Sequence, residues 1–345
     1  VIGLALTFRL YIQRRKREKD IMTDTTDFEG TGPMPKVNSN LPVSKLPLGT
    51  KTVKVSHVQK VYAEKEVVSD VSFEVRSGEI FGMVGPNGAG KTTTIRMLMD
   101  IIKADSGEIN ILGEPLKEST KDKIGYLPEE RGLYRKITVA QSLYYLAQLK
   151  NLSTGAAKIR TDEYLQRVGM IQHKGKKIEQ LSKGMGQLIQ FVTTIIHDPE
   201  IVILDEPFAG LDPVNRETLK ELVMELRDRG KTVMLSTHQM NEVEELCDRI
   251  LMINQGKVVL YGKLADVQSQ FRNNSIFLEC EGSLEGVAGI VGEKTHGRFV
   301  ELFLDGKTSP QEILSQLLTQ GITVDRFEVS TPSLNEIFIQ VVKGQ

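Results

Sequence analysis

The chain has 345 residues, 40% of them hydrophobic and 26% charged, which is sufficient for two or more domains with buried cores. Its formal net charge of -1 does not provide the basic surface that is typical of nucleic-acid-binding proteins, so we expect no nucleic acid among its partners. Two cysteines, Cys247 and Cys280, are too few for a disulfide framework or a cysteine metal site. We interpret both as small apolar residues in a reducing compartment.

Residues 1–50 are predicted to be an N-terminal segment and linker. Val1–Phe8 is apolar but much shorter than the ~20 residues that a membrane-spanning helix needs. A basic run follows it, Arg14, Arg15, Lys16, Arg17 and Lys19, which is the reverse of the order in a cleavable signal peptide. Two interpretations stay open: a membrane-proximal segment, as the end of a spanning helix or an interfacial anchor, or an over-extended gene start. The polar composition of residues 20–50 is typical of a linker.

From Thr52 onward, short runs of alternating valines predict strands of a small antiparallel sheet. After Gly82, short and continuously apolar runs such as Ile201–Leu204 alternate with longer helical stretches. Such runs are typical of buried parallel strands, and their alternation with helices predicts an α/β fold. Residues from about 135 to 182 are expected to form an inserted helical subdomain, and residues 266–345 a separate small accessory α/β domain.

A glycine-rich segment from Gly85 to Thr92 matches the phosphate-loop pattern G-x-x-x-x-G-K-[ST] between a predicted strand and a predicted helix. Glycines allow backbone N–H groups to turn toward an anion, and the following helix adds its positive dipole end. In such a loop Lys91 contacts the β- and γ-phosphates of ATP, and the Thr92 hydroxyl is a ligand of Mg²⁺. The predicted ATP-binding residues of this segment are Gly85, Pro86, Asn87, Gly88, Ala89, Gly90, Lys91, Thr92 and Thr93.

Two carboxylates, Asp205 and Glu206, directly follow the apolar run Ile201–Leu204. Alone they would be a weak signal, because a pair of acidic residues after a strand is as often a solvated loop. Together with the phosphate loop they predict a site for ATP hydrolysis. We expect Asp205 to hold Mg²⁺, directly or through water, and Glu206 to act as the base that orients the attacking water.

The chain resembles the ABC ATPases over about residues 52–264, because further motifs of that family follow in the family's order. These are the signature-like Leu181–Met185, the D-loop-like Ala209–Asp212 and the switch-histidine-like Ser236–His238. Tyr62 stands where the family has an aromatic residue that stacks on adenine. Within the family, residues 126–134 and the C-terminal extension are most similar to the NatA-like group of sodium and multidrug exporters.

The resemblance implies that residues 51–265 form an ABC ATP-binding domain of the P-loop NTPase fold, with an antiparallel β subdomain and the helical subdomain. It also implies a head-to-tail dimer, of two copies or with a paired ABC subunit, that binds two ATP molecules between the chains. Ser182 and Gly184 would then contact the γ-phosphate on the partner, and Asp212 would belong to the same set of ATP-binding residues. His238 would hydrogen-bond the γ-phosphate and hold Glu206 and the water in line. The resemblance therefore implies that Glu206 and His238 are the catalytic residues.

Two places depart from the family pattern. Glu129 stands where a Gln is usual beside Mg²⁺ and the water; a carboxylate can still ligate the ion but adds negative charge near the γ-phosphate. Lys183 and Met185 replace the usual Gly and Gln of the signature, whereas its two phosphate-facing residues are retained. Gln187 is interpreted as a scaffold residue. The expected metal ligands are Thr92, Asp205 and Glu129.

These features predict an ATP-hydrolysing motor of an ABC exporter, at the cytoplasmic face of the cell membrane, that works with a separate integral membrane permease. The alternative is a soluble, non-transport ABC ATPase that acts on ribosomes or DNA. Ribosome-acting members usually carry two ATPase domains, and DNA-repair members carry long coiled coils, whereas this chain has one set of motifs and no room for such coils. A degenerate regulatory module is disfavoured because the residues for hydrolysis are present: Lys91, Asp205, Glu206 and His238.

Overall fold

The computed structural model describes residues 44, 46–130, 132–271, 275–282, 284, 286–330 and 332–343. The chain divides into two compact units, with the division between Tyr261 and Gly262. Most of the predicted N-terminal segment, residues 1–43 and residue 45, lies outside the described residues. Within the described ranges, no helix combines the length and the apolar character that crossing a membrane requires.

The first unit is built from two sheets and the helices around them. Its strands are, in chain order, β1 (Lys51–Tyr62), β2 (Lys65–Arg76), β3 (Ile80–Val84), β4 (Ser106–Ile111), β5 (Glu114–Pro115), β6 (Ile124–Leu127), β7 (Ile201–Asp205), β8 (Thr232–Thr237), β9 (Arg249–Asn254) and β10 (Lys257–Lys263), which crosses the division. Its helices are α1 (Lys91–Leu98), α2 (Glu118–Lys121), α3 (Val139–Leu149), α4 (Thr154–Arg167), α5 (Lys183–Ile195), α6 (Pro213–Asp228) and α7 (Met240–Leu246).

The first sheet is antiparallel, with the strand order β2-β1-β4-β5. β1 and β2 form a long hairpin in which Tyr62 lies opposite Lys65 and Lys51 opposite Arg76. The alternating valines of β1, such as Val53 and Val55, are buried, because successive side chains of a strand point to opposite faces. The alternating valines therefore form the buried face of this antiparallel sheet, as the sequence pattern predicts.

The second sheet has the strand order β10-β9-β3-β8-β7-β6, and β9, β3, β8, β7 and β6 run parallel. Every residue of β3, β7 and β8 is buried, which explains why the apolar runs in these strands do not alternate with polar residues. Parallel strands end at the same edge of a sheet, where ligands bind in folds of this class. The segments that follow Val84, Asp205 and Thr237 therefore emerge side by side.

Between β6 and β7 the chain is helical. Thr138 and Gln141 form a capping box at the start of α3, and the Ser153 hydroxyl accepts a hydrogen bond from the Ala156 N–H at the start of α4. α3 packs against α4 and α5 and buries Leu143 completely. The sequence between the two strands therefore folds into helices that share one apolar interior.

The second unit is a small antiparallel sheet with helices. Its elements are, in chain order, α8 (Leu264–Gln270), β11 (Ser275–Glu281), β12 (Ile290–His296), β13 (Phe299–Leu304), α9 (Pro310–Thr319), β14 (Thr323–Val329) and α10 (Leu334–Lys343). The strand order is β12-β13-β11-β14. Ile313 and Leu317 of α9 share a core with Ile276 and Leu302 of the sheet. The predicted α/β fold class, with an antiparallel sheet, a parallel sheet and a small C-terminal α/β unit, is confirmed.

Candidate functional site

Three loops meet where the central strands of the parallel sheet end. Val84 is in register with Thr237 of β8, and Asp205 of β7 is in register with Ser236 of the same strand. The phosphate-loop sequence follows β3, Glu206 follows β7 and His238 follows β8. The phosphate loop, more than a hundred residues before the other two segments in the chain, is thereby brought to the same edge as Glu206 and His238.

The phosphate loop curves around the Lys91 side chain, whose Nζ donates hydrogen bonds to the carbonyl oxygens of Gly85, at 2.7 Å, and Pro86, at 3.2 Å. A Cβ atom at Gly85 would lie 2.1 Å from the carbonyl oxygen of Ile253, so only glycine fits against that strand. Gly90 has a φ of +109°, a conformation that side chains disfavour. The loop therefore needs glycine at both positions to reach the start of α1.

Lys91 is a nearly buried cation. It is 6% exposed, and its Nζ lies 3.7 Å from Glu206 Oε1. Burial lowers the pKa of Lys91, while the charges of Glu206, Asp205 and Glu129 act in the opposite direction. The ammonium group therefore has acidic neighbours on one side and is available to an anion that enters the cavity beside it.

The cavity at this edge has a volume of about 300 Å³. It takes residues from the phosphate loop and from the ends of β6, β7 and β8. Its lining residues are Val67, Asn87, Gly88, Ala89, Gly90, Lys91, Thr92, Thr93, Glu129, Glu206, Ala209 and His238. The structure thus brings most of the predicted phosphate-loop residues together with Glu129, Glu206 and His238.

Asp205 lies directly behind the cavity and is fully buried. Its Oδ1 accepts a hydrogen bond from the Thr92 hydroxyl at 3.3 Å and another from the Ser236 hydroxyl, whereas its buried Oδ2 has no hydrogen-bond partner among the residues that the structure describes. Burial raises the pKa of Asp205, and the charges of Glu129 and Glu206 raise it further. A buried carboxylate that is short of partners and has acidic neighbours is an arrangement that a cation relieves.

Mg²⁺ fits this arrangement. The ion prefers oxygen ligands and usually keeps waters and phosphate oxygens besides one or two carboxylates. The described residues contain no group of three or more His, Cys, Asp or Glu side chains that could hold a metal alone. The donors available here are the hydroxyl of Thr92, the free oxygen of Asp205 and the exposed carboxylate of Glu129 at the cavity wall, which suits an ion that is bound together with a phosphate.

Glu206 and His238 form a close pair. Nδ1 of His238 lies 3.0 Å from each carboxylate oxygen of Glu206. The backbone of Glu206 has a φ of +49°, which is uncommon for a residue with a side chain; residues with such strained backbones cluster at functional sites. Its N–H donates to the backbone oxygen and the hydroxyl of Ser236. The strand end of β8 thus holds the Glu206 carboxylate at the cavity.

Six of the predicted ATP-binding residues do not line this cavity. Gly85 and Pro86 belong to the phosphate loop itself, and the other four lie elsewhere. Tyr62 is 44% exposed, and its ring lies 5.4 Å from Lys60 Nζ. Ser182 is the exposed N-cap of α5, and Asp212 is the exposed N-cap of α6. Gly184 lies in the first turn of α5, where a Cβ atom would be 3.1 Å from Asp212 Oδ2. The last three residues therefore form one group at the starts of two helices, outside the cavity.

Three residues of the site were not among the predicted site residues, although Ala209 and Ser236 begin two of the motifs that resemble the family. Val67 and Ala209 line the cavity, and Ser236 hydrogen-bonds both Asp205 and the backbone of Glu206. The position of Ser236 could have been inferred, because it is in register with Asp205 at the ends of neighbouring parallel strands. Val67 lies on the β1–β2 hairpin, and nothing in its local sequence indicates a ligand.

Comparison with known protein families gives two matches. Residues 68–209 match the family described as ABC transporter. Residues 262–342 match the C-terminal domain of the ATP-binding proteins described as DrrA1-3-like. The two matches fall on either side of the division between the two units.

Curated relatives and solved structures agree with these matches. The uncharacterized ABC transporter ATP-binding protein YhaQ of Bacillus subtilis is 38% identical over 291 residues, which are 84% of this chain and 97% of that protein. The linearmycin resistance ATP-binding protein LnrL of the same organism is 34% identical over 303 residues, with the same coverage. A solved ATP-binding subunit of an ABC transporter is 31% identical, covers 64% of this chain and 93% of its own, and superimposes with a TM-score of 0.60.

Proposed function

Since the chain belongs to the family of ABC transporter ATP-binding proteins, we propose that it hydrolyses ATP for an exporter whose transport path is a separate membrane permease. The observation that carries the proposal is the convergence of Lys91, Glu206 and His238 on one cavity. A buried cation, a carboxylate and a histidine at a phosphate loop are the groups that phosphoryl transfer to water requires.

The phosphate loop binds the triphosphate of ATP. Lys91 contacts the β- and γ-phosphates, and the N–H groups at the start of α1 face the same oxygens. Thr92, Asp205 and Glu129 would hold Mg²⁺, and the bound ion would supply positive charge that neutralises the phosphate oxygens. The negative charge of ATP also competes with Glu206 for Lys91, which frees the carboxylate for its own role.

Glu206 orients the water that attacks the γ-phosphate and accepts its proton. His238 already contacts both carboxylate oxygens, so it holds Glu206 in place, and by this proposal it also hydrogen-bonds the γ-phosphate. Only Thr237 separates Ser236 from His238, so the histidine lies directly after the end of β8. The geometry of the pair supports this assignment of roles, since both side chains line the same cavity.

A second chain completes the site. Ser182, Gly184 and Asp212 lie outside the cavity of their own chain, and Ser182 and Asp212 are exposed. Ser182 begins the 13-residue helix α5, whose first N–H groups and dipole favour an anion. In a head-to-tail dimer, this helix start meets the γ-phosphate bound by the partner, and Tyr62 stacks on the adenine in its own chain. ATP then favours the closed dimer, because it contacts both chains only in that state.

The export direction and the permease are supported by relatives. LnrL is an ATP-binding protein of linearmycin resistance by its name, and a pump that removes a compound from the cell gives such a resistance. Another relative of known structure, CbiO1 of Clostridium perfringens, is part of an ABC transporter complex; it is 26% identical with a TM-score of 0.57. By this proposal the chain lies at the cytoplasmic face of the membrane as a peripheral subunit.

Affinity capture tests the proposal. The tagged Glu206→Gln variant is expressed in the source cells, captured from detergent-solubilised membranes with Mg²⁺ and ATP, and its partners are identified by mass spectrometry. The expected partner is an integral membrane protein with several spanning helices, and it is retained through size exclusion. Recovery from the soluble fraction with ribosomes or DNA, and without a membrane protein, would support the soluble ATPase instead.

A further inference from the structure

Helix α7 carries a buried carboxylate, Glu242, that is tied to the loop around His238. Glu242 is 1% exposed, and its Oε2 accepts a hydrogen bond from the Thr237 hydroxyl at 3.2 Å. The same hydroxyl accepts a hydrogen bond from the Gln239 N–H at 3.0 Å. Thr237 and Gln239 flank His238 in the chain. The carboxylate therefore holds the Thr237 hydroxyl, which in turn holds the backbone N–H on the other side of the histidine.

The other oxygen of Glu242, Oε1, lies near the guanidinium group of Arg216 but forms no hydrogen bond with it. Oε1 of Glu242 and Nε of Arg216 are buried, and neither has a hydrogen-bond partner in the described part of the chain. They lie 3.9 Å apart, which is about 1 Å longer than a charge-assisted hydrogen bond. Buried polar groups without partners destabilise the state that contains them. A small approach of the two helices would therefore satisfy both groups at once.

Arg216 connects this pair to the start of α6. Its backbone N–H donates to the carbonyl oxygen of Asp212, one turn earlier, and the Asp212 side chain caps the same helix. Movement of Asp212 thus carries Arg216 with it. The route from Asp212 to His238 consists of one helical turn, the Arg216–Glu242 gap and the Thr237 hydrogen bond.

We propose that Glu242 is a positioning residue for His238. Arg216 is the second partner of Glu242, after Thr237, and through it the start of α6 acts on the loop that carries His238. This rests on the proposed function, in which Asp212 faces a partner chain and His238 the γ-phosphate. Glu242 itself does not line the cavity, so it acts through the loop. When the dimer closes and shifts α6, the Arg216–Glu242 bond forms, and it locks the loop with His238 against Glu206.

The groups around Glu242 influence its pKa in opposite directions. Burial raises the pKa of Glu242, whereas the Thr237 hydrogen bond and the charge of Arg216 oppose that shift, with Glu206 acting in the same direction as burial. An approach of Arg216 favours the ionised carboxylate further. Glu245, on the same helix, instead pairs with Lys220 and provides a matched control.

The first experiment separates positioning from folding. Glu242→Ala should lower kcat about ten- to hundred-fold, because a displaced His238 costs alignment, while the Kd for ATP stays within about two-fold. Glu242→Gln keeps an acceptor for Thr237 but loses the second oxygen that faces Arg216, so it should recover part of kcat. Glu245→Ala should leave kcat unchanged. The double variant Glu242→Ala with Thr237→Val should lose little more than either single variant, because both remove one link.

A second readout does not depend on hydrolysis. Amide hydrogen exchange at Gln239 without nucleotide should be about ten-fold faster in Glu242→Ala, because its acceptor Thr237 is released. Arg216→Ala should leave that exchange unchanged, since the Arg216 bond is not formed in this state, but should lower kcat. If the wild-type chain fails to hydrolyse ATP, the proposed function is wrong, and the exchange result still decides whether Glu242 holds the loop.

Two results would overturn the inference. One is unchanged exchange at Gln239 together with unchanged kcat in Glu242→Ala. The other is an equal loss of kcat, ATP affinity and Tm in Glu242→Ala and Glu242→Gln, which would make Glu242 a structural residue only.

Discussion

Lys91 Nζ lies 3.7 Å from Glu206 Oε1, and the two side chains are only 6% and 9% exposed. The cation and the base of the proposed reaction therefore contact each other before ATP enters. The phosphate loop holds Lys91 by two carbonyl oxygens, and Nδ1 of His238 lies 3.0 Å from the Glu206 carboxylate. The Lys91 ammonium and the Glu206 carboxylate are therefore already held at the cavity. Binding of ATP has to replace the contact between them but does not have to move either group into place.

The cation of this pair is required for binding. Lys91→Ala should weaken ATP binding at least about ten-fold, because the variant loses a buried charge at the phosphates and leaves Glu206 without its cation. Isothermal titration with Mg²⁺ and ATP measures the effect. The matched control is Lys103→Ala, since Lys103 is 82% exposed and pairs only with nearby Asp100 in the described chain. Equal affinities of the two variants would remove Lys91 from the site.

Asp205 makes the site unstable in the absence of a cation. Its pKa is raised in the folded state, so the folded chain binds more protons than the unfolded one between the ordinary pKa and the raised one. The free energy of unfolding therefore falls as pH rises through that window, and the loss persists at neutral pH.

The Asp205→Asn variant has no carboxyl group to ionise at this position, so it does not lose free energy of unfolding as the pH rises. We expect a higher Tm at pH 7 without Mg²⁺, by about 2–4 °C for each kcal/mol relieved, and a smaller gap between the variants at acidic pH. Addition of Mg²⁺ with ATP should stabilise the wild type but not the variant. Calorimetry in the presence of a chelator makes the comparison. A lower Tm of the variant at pH 7 would show that Asp205 does not oppose folding.

Much of the fold and part of the site could be predicted from the sequence. The phosphate loop, Asp205 and Glu206 stand next to apolar runs, so their place at strand ends follows from local pattern alone. The shared role of Ser236 depends on the register between β7 and β8, which a local pattern does not reveal. The approach of Val67 depends on how the β1–β2 hairpin lies over the loop. Such contacts are set by tertiary packing between distant segments.

Gly85 and Gly155 differ in what surrounds them. A Cβ atom at Gly85 would be 2.1 Å from the carbonyl oxygen of Ile253, whereas Gly155, in the first turn of α4, has no atom within 4 Å of that position. Gly85→Ala should therefore lower Tm and abolish ATP binding. Gly155→Ala should raise the free energy of unfolding by about 0.5–1 kcal/mol, through the better helix propensity of alanine. Thermal unfolding of both variants checks the contrast, and a tolerated Gly85→Ala would contradict the close packing of the loop.

The central claim is that Lys91 and Glu206 serve binding and cleavage of ATP in one site. The most direct measurement compares phosphate release and ATP binding by the purified wild-type chain and by Glu206→Gln, with the oligomeric state read by size exclusion at saturating Mg²⁺ and ATP. We expect the wild type to release phosphate, and the variant to bind ATP with similar affinity, release phosphate at least about a hundred-fold more slowly and accumulate as a dimer. A variant that hydrolyses ATP at the wild-type rate, or that stays monomeric with ATP bound, would contradict the account.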